Sequence, residues 1–327
     1  PPASSVSGLT PATRYRFDVV SGPTTDTNGG AHFLVTTGPT LSPVPSPDQS
    51  RGTISRRDGT VPDGVIVHLV ASGPSGTSAP LVSLVTTTDA REWAANLGNL
   101  RTSSLDAAFP LTDATIVAVT ADGGADGTAG VGTTVTTART GTLALTLGDQ
   151  TDVPLATGWN LVALRVTPSP TVTASGACAL TNARASGAIV EIVRWTAGSW
   201  ESHRCGFPPN DFTLEAGAGY FVRTTAPAIW PTWGTAVTTA VSRTLGPGWN
   251  LVGASATSSA PTTAPGACTA LNSTQAGAAI EVVRWVDSGW EAHTCGSQPN
   301  AFSLQAGLGY FVKMAKGGTL APSGSAP

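Results

Sequence analysis

The stretch Val193–Cys205, VRWTAGSWESHRC, returns ninety residues later as VRWVDSGWEAHTC, Val283–Cys295. Each copy holds two tryptophans, a histidine and a cysteine at fixed spacing, a set that would serve a metal site, a sugar-stacking platform or a scaffold. With TAGS and VDSG as four-residue turns, each copy is a β-hairpin in which Trp195 faces Trp200 and Arg194 faces Glu201, and Trp285/Trp290 and Arg284/Glu291 follow suit. In that register Ile192 and Cys205 share one face and the paired tryptophans the other. The cysteine side is therefore expected to be core, with the tryptophan pair near the turn on the opposite face.

The cysteines discriminate among the three readings. Cys178 and Cys205, like Cys268 and Cys295, stand 27 positions apart, and these four are all the thiols in the chain. One pair per copy predicts two disulfides, each within its copy, and an oxidising compartment. Closing such a loop stabilises by roughly 3 to 4 kcal/mol in the chain-entropy model. A zinc reading would recruit His203 and Cys205 with Cys178, and His293 and Cys295 with Cys268. It lacks a fourth ligand and the C-x2-C or H-x3-H spacings of zinc sites. No metal and no cofactor are expected.

Outward from the hairpin, the chain from Leu155 is an internal duplication with an offset of 90 and no gap as far as Arg223 and Lys313. LATGWNLVAL aligns with LGPGWNLVGA, VEIVRW with IEVVRW and LEAGAGYFVR with LQAGLGYFVK. Roughly half of the aligned residues are identical, concentrated in Gly, Trp, Cys and aromatic strand positions. Two disulfide-containing β repeats, 151–236 and 237–327, are expected. The GWNLV … GYFV pattern resembles a repeat of secreted and cell-surface bacterial proteins, which implies a structural role without catalysis.

Upstream, residues 51–150 read as short alternating strands bounded by Asp-Gly and Gly-Gly turns, the pattern of a β-sandwich. Gly52-Thr-Ile, DGTVPDGVIVHL and TTTDAREWAANLGNLR resemble the carboxypeptidase-regulatory-like, transthyretin-type domains of bacterial surface proteins. Residues 38–50, GPTLSPVPSPDQS, form a Pro-rich, semi-rigid linker. In residues 1–37, Tyr15, Phe17 and Val19 alternate, a Gly-rich turn follows at Asn28–Gly30, and Phe33 and Val35 alternate again. GLTPATRYRF resembles the last strands of a fibronectin type III domain, with Leu9 and Tyr15 at its tyrosine corner. Two strands make no core alone. The expectation is that the chain begins earlier or that another element completes the sheet. The candidate donors are the Pro1–Ser7 arm, the GTLAPSGSAP tail or a strand from a different protein.

Composition narrows the function classes. Charged residues make up 11% of the 327 residues, against about 25% in an ordinary soluble domain. A net charge of −3 without a basic run gives phosphate backbones nothing to hold, so no nucleic-acid partner is expected. Apolar runs such as TIVAVT, 115–120, are too short to span a bilayer. Lys313 and Lys316 are the only lysines, which excludes Lys–Asn isopeptide cross-links from residues 1–312.

The remaining candidates divide between contact and chemistry. Trp195, Trp200, Trp285 and Trp290 are read as packing against a neighbouring strand, domain or subunit, with sugar stacking as the alternative. Trp230 and Trp233, in PAIWPTWG, have no counterpart in the second repeat, which suggests a wedge between the repeats or a sugar contact. The four histidines are scattered, and neither GxSxG nor HExxH occurs. Glu201 and Glu291 are better explained by their cross-strand arginines than as general acids. Asp122 and Asp126, in DGGADGTAG, are weak calcium candidates against an ordinary turn. Asn272-Ser-Thr is the single N-glycosylation sequon.

The expectation is an all-β chain of tandem sandwich and small β domains in an elongated array, extracellular or at a cell surface. It would be a non-enzymatic subunit of a filament or sheath, self-associating into a homopolymer by strand complementation. The competing expectation is an accessory, polysaccharide-binding region or stalk of a larger secreted hydrolase.

Overall fold

A computed structural model describes residues 6–325 except 43–44, 90, 186, 258–261 and 298. The first five residues of the expected donor arm lie outside the described residues. Strands dominate, and among the described residues the three α-helices are short: Val135–Thr140, Ala174–Asn182 and Ala264–Thr274.

In the N-terminal segment Arg14–Phe17 pairs antiparallel with Phe33–Thr36, and Val19–Ser21 with Thr24–Asp26. Alternation puts Tyr15, Phe17, Phe33 and Val35 on one face, where the Phe17 and Phe33 rings stack at 5.4 Å. The Tyr15 hydroxyl accepts the Thr10 N–H at 2.7 Å and fixes the turn before the strand. Phe17 remains 46% and Val35 43% exposed. Tyr15 and Phe33 are half-buried, and none of the four joins a buried core cluster among the described residues.

Two sheets form the next unit. One has the order Thr128–Thr134, Ile116–Asp122, Val65–Gly73, with Leu81–Val85 also on Val65–Gly73; the other runs Thr142–Thr146, Gln49–Ser55, Glu92–Asn96. Along Val65–Gly73 the alternate residues Val65, Val67, Leu69 and Ala71 are buried, and they meet Ile54, Trp93 and Leu145 of the other sheet. Gly52 is required there: a Cβ would stand 2.0 Å from the Leu143 carbonyl oxygen and 2.6 Å from the Trp93 indole nitrogen. Asp48, at the end of the Pro-rich linker, grips the Arg139 guanidinium through both carboxylate oxygens.

Each repeat then builds one four-stranded antiparallel sheet. The orders are Gly158–Ala163, Gly219–Thr224, Ile189–Thr196, Ser199–Arg204, and Gly248–Gly253, Gly309–Met314, Ala279–Val286, Gly289–Thr294. One face of each sheet packs on its helix, which is N-capped by Thr173 or Thr263. The disulfides Cys178–Cys205 and Cys268–Cys295 are formed and tie each helix to the end of its hairpin. Asn182 closes the helix end by bonding both the N–H and the carbonyl of Ile189. Asn272, ninety positions on, does the same to Ala279. The sequon asparagine thus also clamps the helix to its strand. Tyr220 and Tyr310 accept the N–H groups of Glu215 and Gln305, five residues upstream, the bond that Tyr15 makes in the N-terminal segment.

The tryptophans of PAIWPTWG occupy a different place from the one expected. Strand Ala228–Ala236 pairs with Gln150–Leu155 and Val166–Pro168. It buries Trp230 in the core of the first repeat. Trp233 wedges between that repeat and the sandwich, not between the repeats. It donates to Thr128 Oγ1 at 3.0 Å and packs with Ala118, Ala179 and Leu180. A Cβ at Gly130 would lie 2.4 Å from its ring. Helix Ala174–Asn182 is buried along its whole length because the sandwich covers its outer side, down to a backbone approach between Gly132 and Gly176. Helix Ala264–Thr274 has no such cover and buries one stripe only. The sequence follows suit, with Ala179 and Leu180 replaced by Thr269 and Ala270. The C-terminal tail is no donor: Gly318–Leu320 pairs with Arg243–Leu245, and Ser323 and Ser325 bridge to Ala256 and Gln305 of its own repeat.

Candidate functional site

The hairpin strands pair in the register read from the sequence, Trp195 opposite Trp200 and Arg194 opposite Glu201, with Trp285/Trp290 and Arg284/Glu291 in the second copy. Ala197 and Gly198, like Asp287 and Ser288, have positive φ, the two-residue turn whose twist suits a tight hairpin. Arg194 and Arg284 form ion pairs with Glu201 and Glu291 at 2.7 and 2.6 Å, and each guanidinium also lies over a phenylalanine, Phe212 or Phe302. His203 and His293 are buried on the core face, Nδ1 against the Pro209 and Pro299 carbonyls. These groups support the hairpin and are not gathered at a reactive centre.

On the opposite face, alternation collects Trp159 and Leu161 from the first strand, Phe221 and Arg223 from the second, Glu191, Val193 and Trp195 from the third, and Trp200 and Ser202 from the fourth. The second repeat repeats the set ninety positions on. These faces meet. Leu161, Val193 and Phe221 pack against Leu251, Val283 and Phe311 in one buried cluster. The contact is isologous in the sense of a two-fold dimer, so that each interaction occurs twice with partners exchanged. Ala163 N–H donates to the Gly307 carbonyl and Gly253 N–H to the Gly217 carbonyl, both at 2.8 Å. The Trp195 indole donates to the Trp249 carbonyl at 2.7 Å, and the Trp285 indole to the Trp159 carbonyl at 3.0 Å. Gly219 and Gly309 permit the approach: a Cβ at Gly309 would stand 3.3 Å from the Gly219 Cα.

Burial is incomplete around this contact. Trp200 and Trp290 each lie edge-to-face against both Phe221 and Phe311, yet remain 50% and 53% exposed. Two grooves run from them, of about 410 and 430 Å³. The first is walled by Trp159, Trp285, Trp200 and Trp290 and carries Glu191 and Ser202; the second by Trp249, Trp195 and the same two central tryptophans, with Glu281 and Ala292. Both grooves share Trp200 and Trp290, so the aromatic surface is continuous across the pseudo-two-fold axis.

The polar ends differ. Beside the first groove Arg223 pairs with Glu191 at 3.1 Å and lies over the Trp159 ring, and Ser202 Oγ donates to Glu191. Beside the second, Lys313 lies over Trp249 and stands opposite Glu281 in the ladder, while Ala292 replaces the serine. The reading of the sequence chose the hairpin tryptophans but passed over Trp159, Trp249, Glu191 and Glu281. Their signal was present in GWNLV and VEIVRW, where alternate residues fall on the same face as Trp195.

The calcium candidates resolve as turn residues. Asp122 accepts the Gly124 N–H, and Asp126 is paired with Arg56 at 2.8 Å, whose guanidinium holds the Asp126 carboxyl below its usual range. Among the described residues no helix is long and apolar enough to cross a membrane. No family model matches the chain, and no curated protein matches it.

Proposed function

We propose that the chain is a non-enzymatic extracellular structural protein, a subunit of a cell-surface or filamentous assembly that joins its neighbour through the open N-terminal sheet. The observation that carries this reading is the incompletely covered face of Tyr15, Phe17, Phe33 and Val35 on a two-stranded sheet. An isolated hairpin is marginal in water, and a free strand edge is a template for pairing. The C-terminal tail is docked in its own repeat, which leaves the Pro1–Ser7 arm of a neighbouring subunit or a strand of a different protein as the donor. Head-to-tail completion of that kind does not close on itself and generates a filament. Two disulfides and a low-charge exterior support an oxidising, extracellular setting. The resemblance of residues 1–37 to the end of a fibronectin type III domain supports the same completion.

The test is negative-stain microscopy of native material beside its intact mass, with Phe17→Asp as the variant. Ordered filaments of a chain with this mass, lost in the variant at unchanged thermal stability of the remaining domains, are the expected result. Dispersed particles of a much longer chain would overturn the reading, because the missing strands would then belong to the same polypeptide.

A further inference from the structure

We propose that the paired grooves between the repeats bind one strand of a neutral polysaccharide, laid across the pseudo-two-fold axis with a fixed direction. The inference is independent of the N-terminal sheet and concerns a face on the opposite side of the chain's sequence. Its starting point is an inconsistency in burial. The interface hides Leu161, Phe221, Leu251 and Phe311 but leaves the two central tryptophans half open, on strands held by a buried ring cluster and a disulfide. Rigid aromatic surface of this size, contiguous and rimmed by polar groups, marks a binding site rather than scattered exposure.

The chemistry of the rim selects the occupant. Each groove is lined by one carboxylate, Glu191 or Glu281, and the cation beside it, Arg223 over Trp159 or Lys313 over Trp249, balances that charge at the rim. A polyanion or a polycation would meet a like charge in either groove. A neutral chain of sugar rings meets none: its C–H faces lie on indoles, and its peripheral hydroxyls donate to the carboxylates and accept from the guanidinium or ammonium group. A groove of about 410 Å³ takes a short run of sugar rings, and the shared Trp200 and Trp290 leave no gap between the two.

Direction comes from the broken symmetry. Ser202 orients Glu191 and adds a hydroxyl; its counterpart Ala292 adds nothing. The two ends of a polysaccharide are chemically distinct, so the groove with Glu191, Ser202 and Arg223 holds one end preferentially. The Glu191 end is therefore the stronger of the two.

The test is isothermal titration of the full chain with cellohexaose, xylohexaose and laminarihexaose, with retention on cellulose and chitin and tryptophan fluorescence as second readouts. One saccharide chain per protein is expected, with Trp200→Ala and Trp290→Ala each lowering the association constant about tenfold. Glu191→Gln should weaken binding more than Glu281→Gln. The near-ultraviolet circular dichroism of each variant separates loss of binding from loss of the repeat contact, and Trp200→Phe, which keeps a ring against Phe221, serves where the alanine variant loosens it. Absence of binding to all five carbohydrates overturns the proposal. So do two equal and independent sites per chain, or preferential binding of a synthetic peptide of residues 38–50, which would make the surface a proline-rich peptide site.

Discussion

The indole N–H of Trp195 ends on the backbone carbonyl of Trp249, 2.7 Å away in the other repeat, and Trp285 returns the bond to Trp159. A donor that finds its acceptor in the other copy ties the two sheets together in a way that apolar packing alone does not. A fragment of residues 237–325 holds every side chain needed to make this contact with a second copy of itself. We expect it to sediment as a dimer, and Trp285→Phe to shift it toward monomer, by analytical ultracentrifugation.

The close approach of the repeats makes small residues indispensable at the contact. A Cβ at Gly253 would stand 2.4 Å from the Ala218 carbonyl oxygen and 2.5 Å from the Ala163 Cβ. Gly253→Val is expected to cost about 1–3 kcal/mol or more in urea unfolding. Gly246→Ala, where nothing lies within 4 Å, should stay within about 0.5 kcal/mol.

Alkaline pH should unfold the repeats ahead of the sandwich. Burial pushes the hydroxyls of Tyr220 and Tyr310 from 10.0 up to about 12. The native state therefore keeps protons that the unfolded chain releases, and stability falls as pH rises from about 10 to about 12. Each tyrosine contributes on the order of 2 kcal/mol of that loss. Urea midpoints between pH 9 and 11.5 check the slope, and Tyr310→Phe should flatten it while lowering stability at neutral pH, because the Gln305 N–H loses its acceptor.

The two disulfides should differ in effect although their loops are equal in length. Each closes 27 positions and is worth about 3.5 kcal/mol by chain entropy. The first repeat is also held by the sandwich through Trp233 and its fully covered helix. Replacing Cys268 and Cys295 by serine is thus expected to open amides of Ala264–Thr274 in hydrogen exchange. The same change at Cys178 and Cys205 should leave its helix better protected. Trp233→Ala, predicted to cost about 3–5 kcal/mol, should remove that difference.

Much of this was legible in the sequence where a rule acts over a few residues. The hairpin register followed from the turn and from two copies of the same aromatic spacing, and the disulfides from cysteine counting. Trp233 was misplaced because its partners, Thr128 and Gly130, lie more than a hundred residues upstream and carry no mark of the contact. The pairing of the repeats left one sign, read only afterwards. In GYFV and VEIVRW the residues of both parities are apolar, which means a strand buried on both faces. Asn272 shows another limit: the sequon motif carried no sign of the bonds this side chain makes to the Ala279 backbone.

The duplicated face has a consequence for how this molecule varies. In a dimer of identical chains every substitution occurs twice and must suit its own reflection. Here the halves are covalently joined, so their contact survives any dilution, and each half mutates alone. Ser202 with its counterpart Ala292, and Arg223 with Lys313, are the visible result: one duplicated surface drifting into two unlike ones, with a left and a right hand.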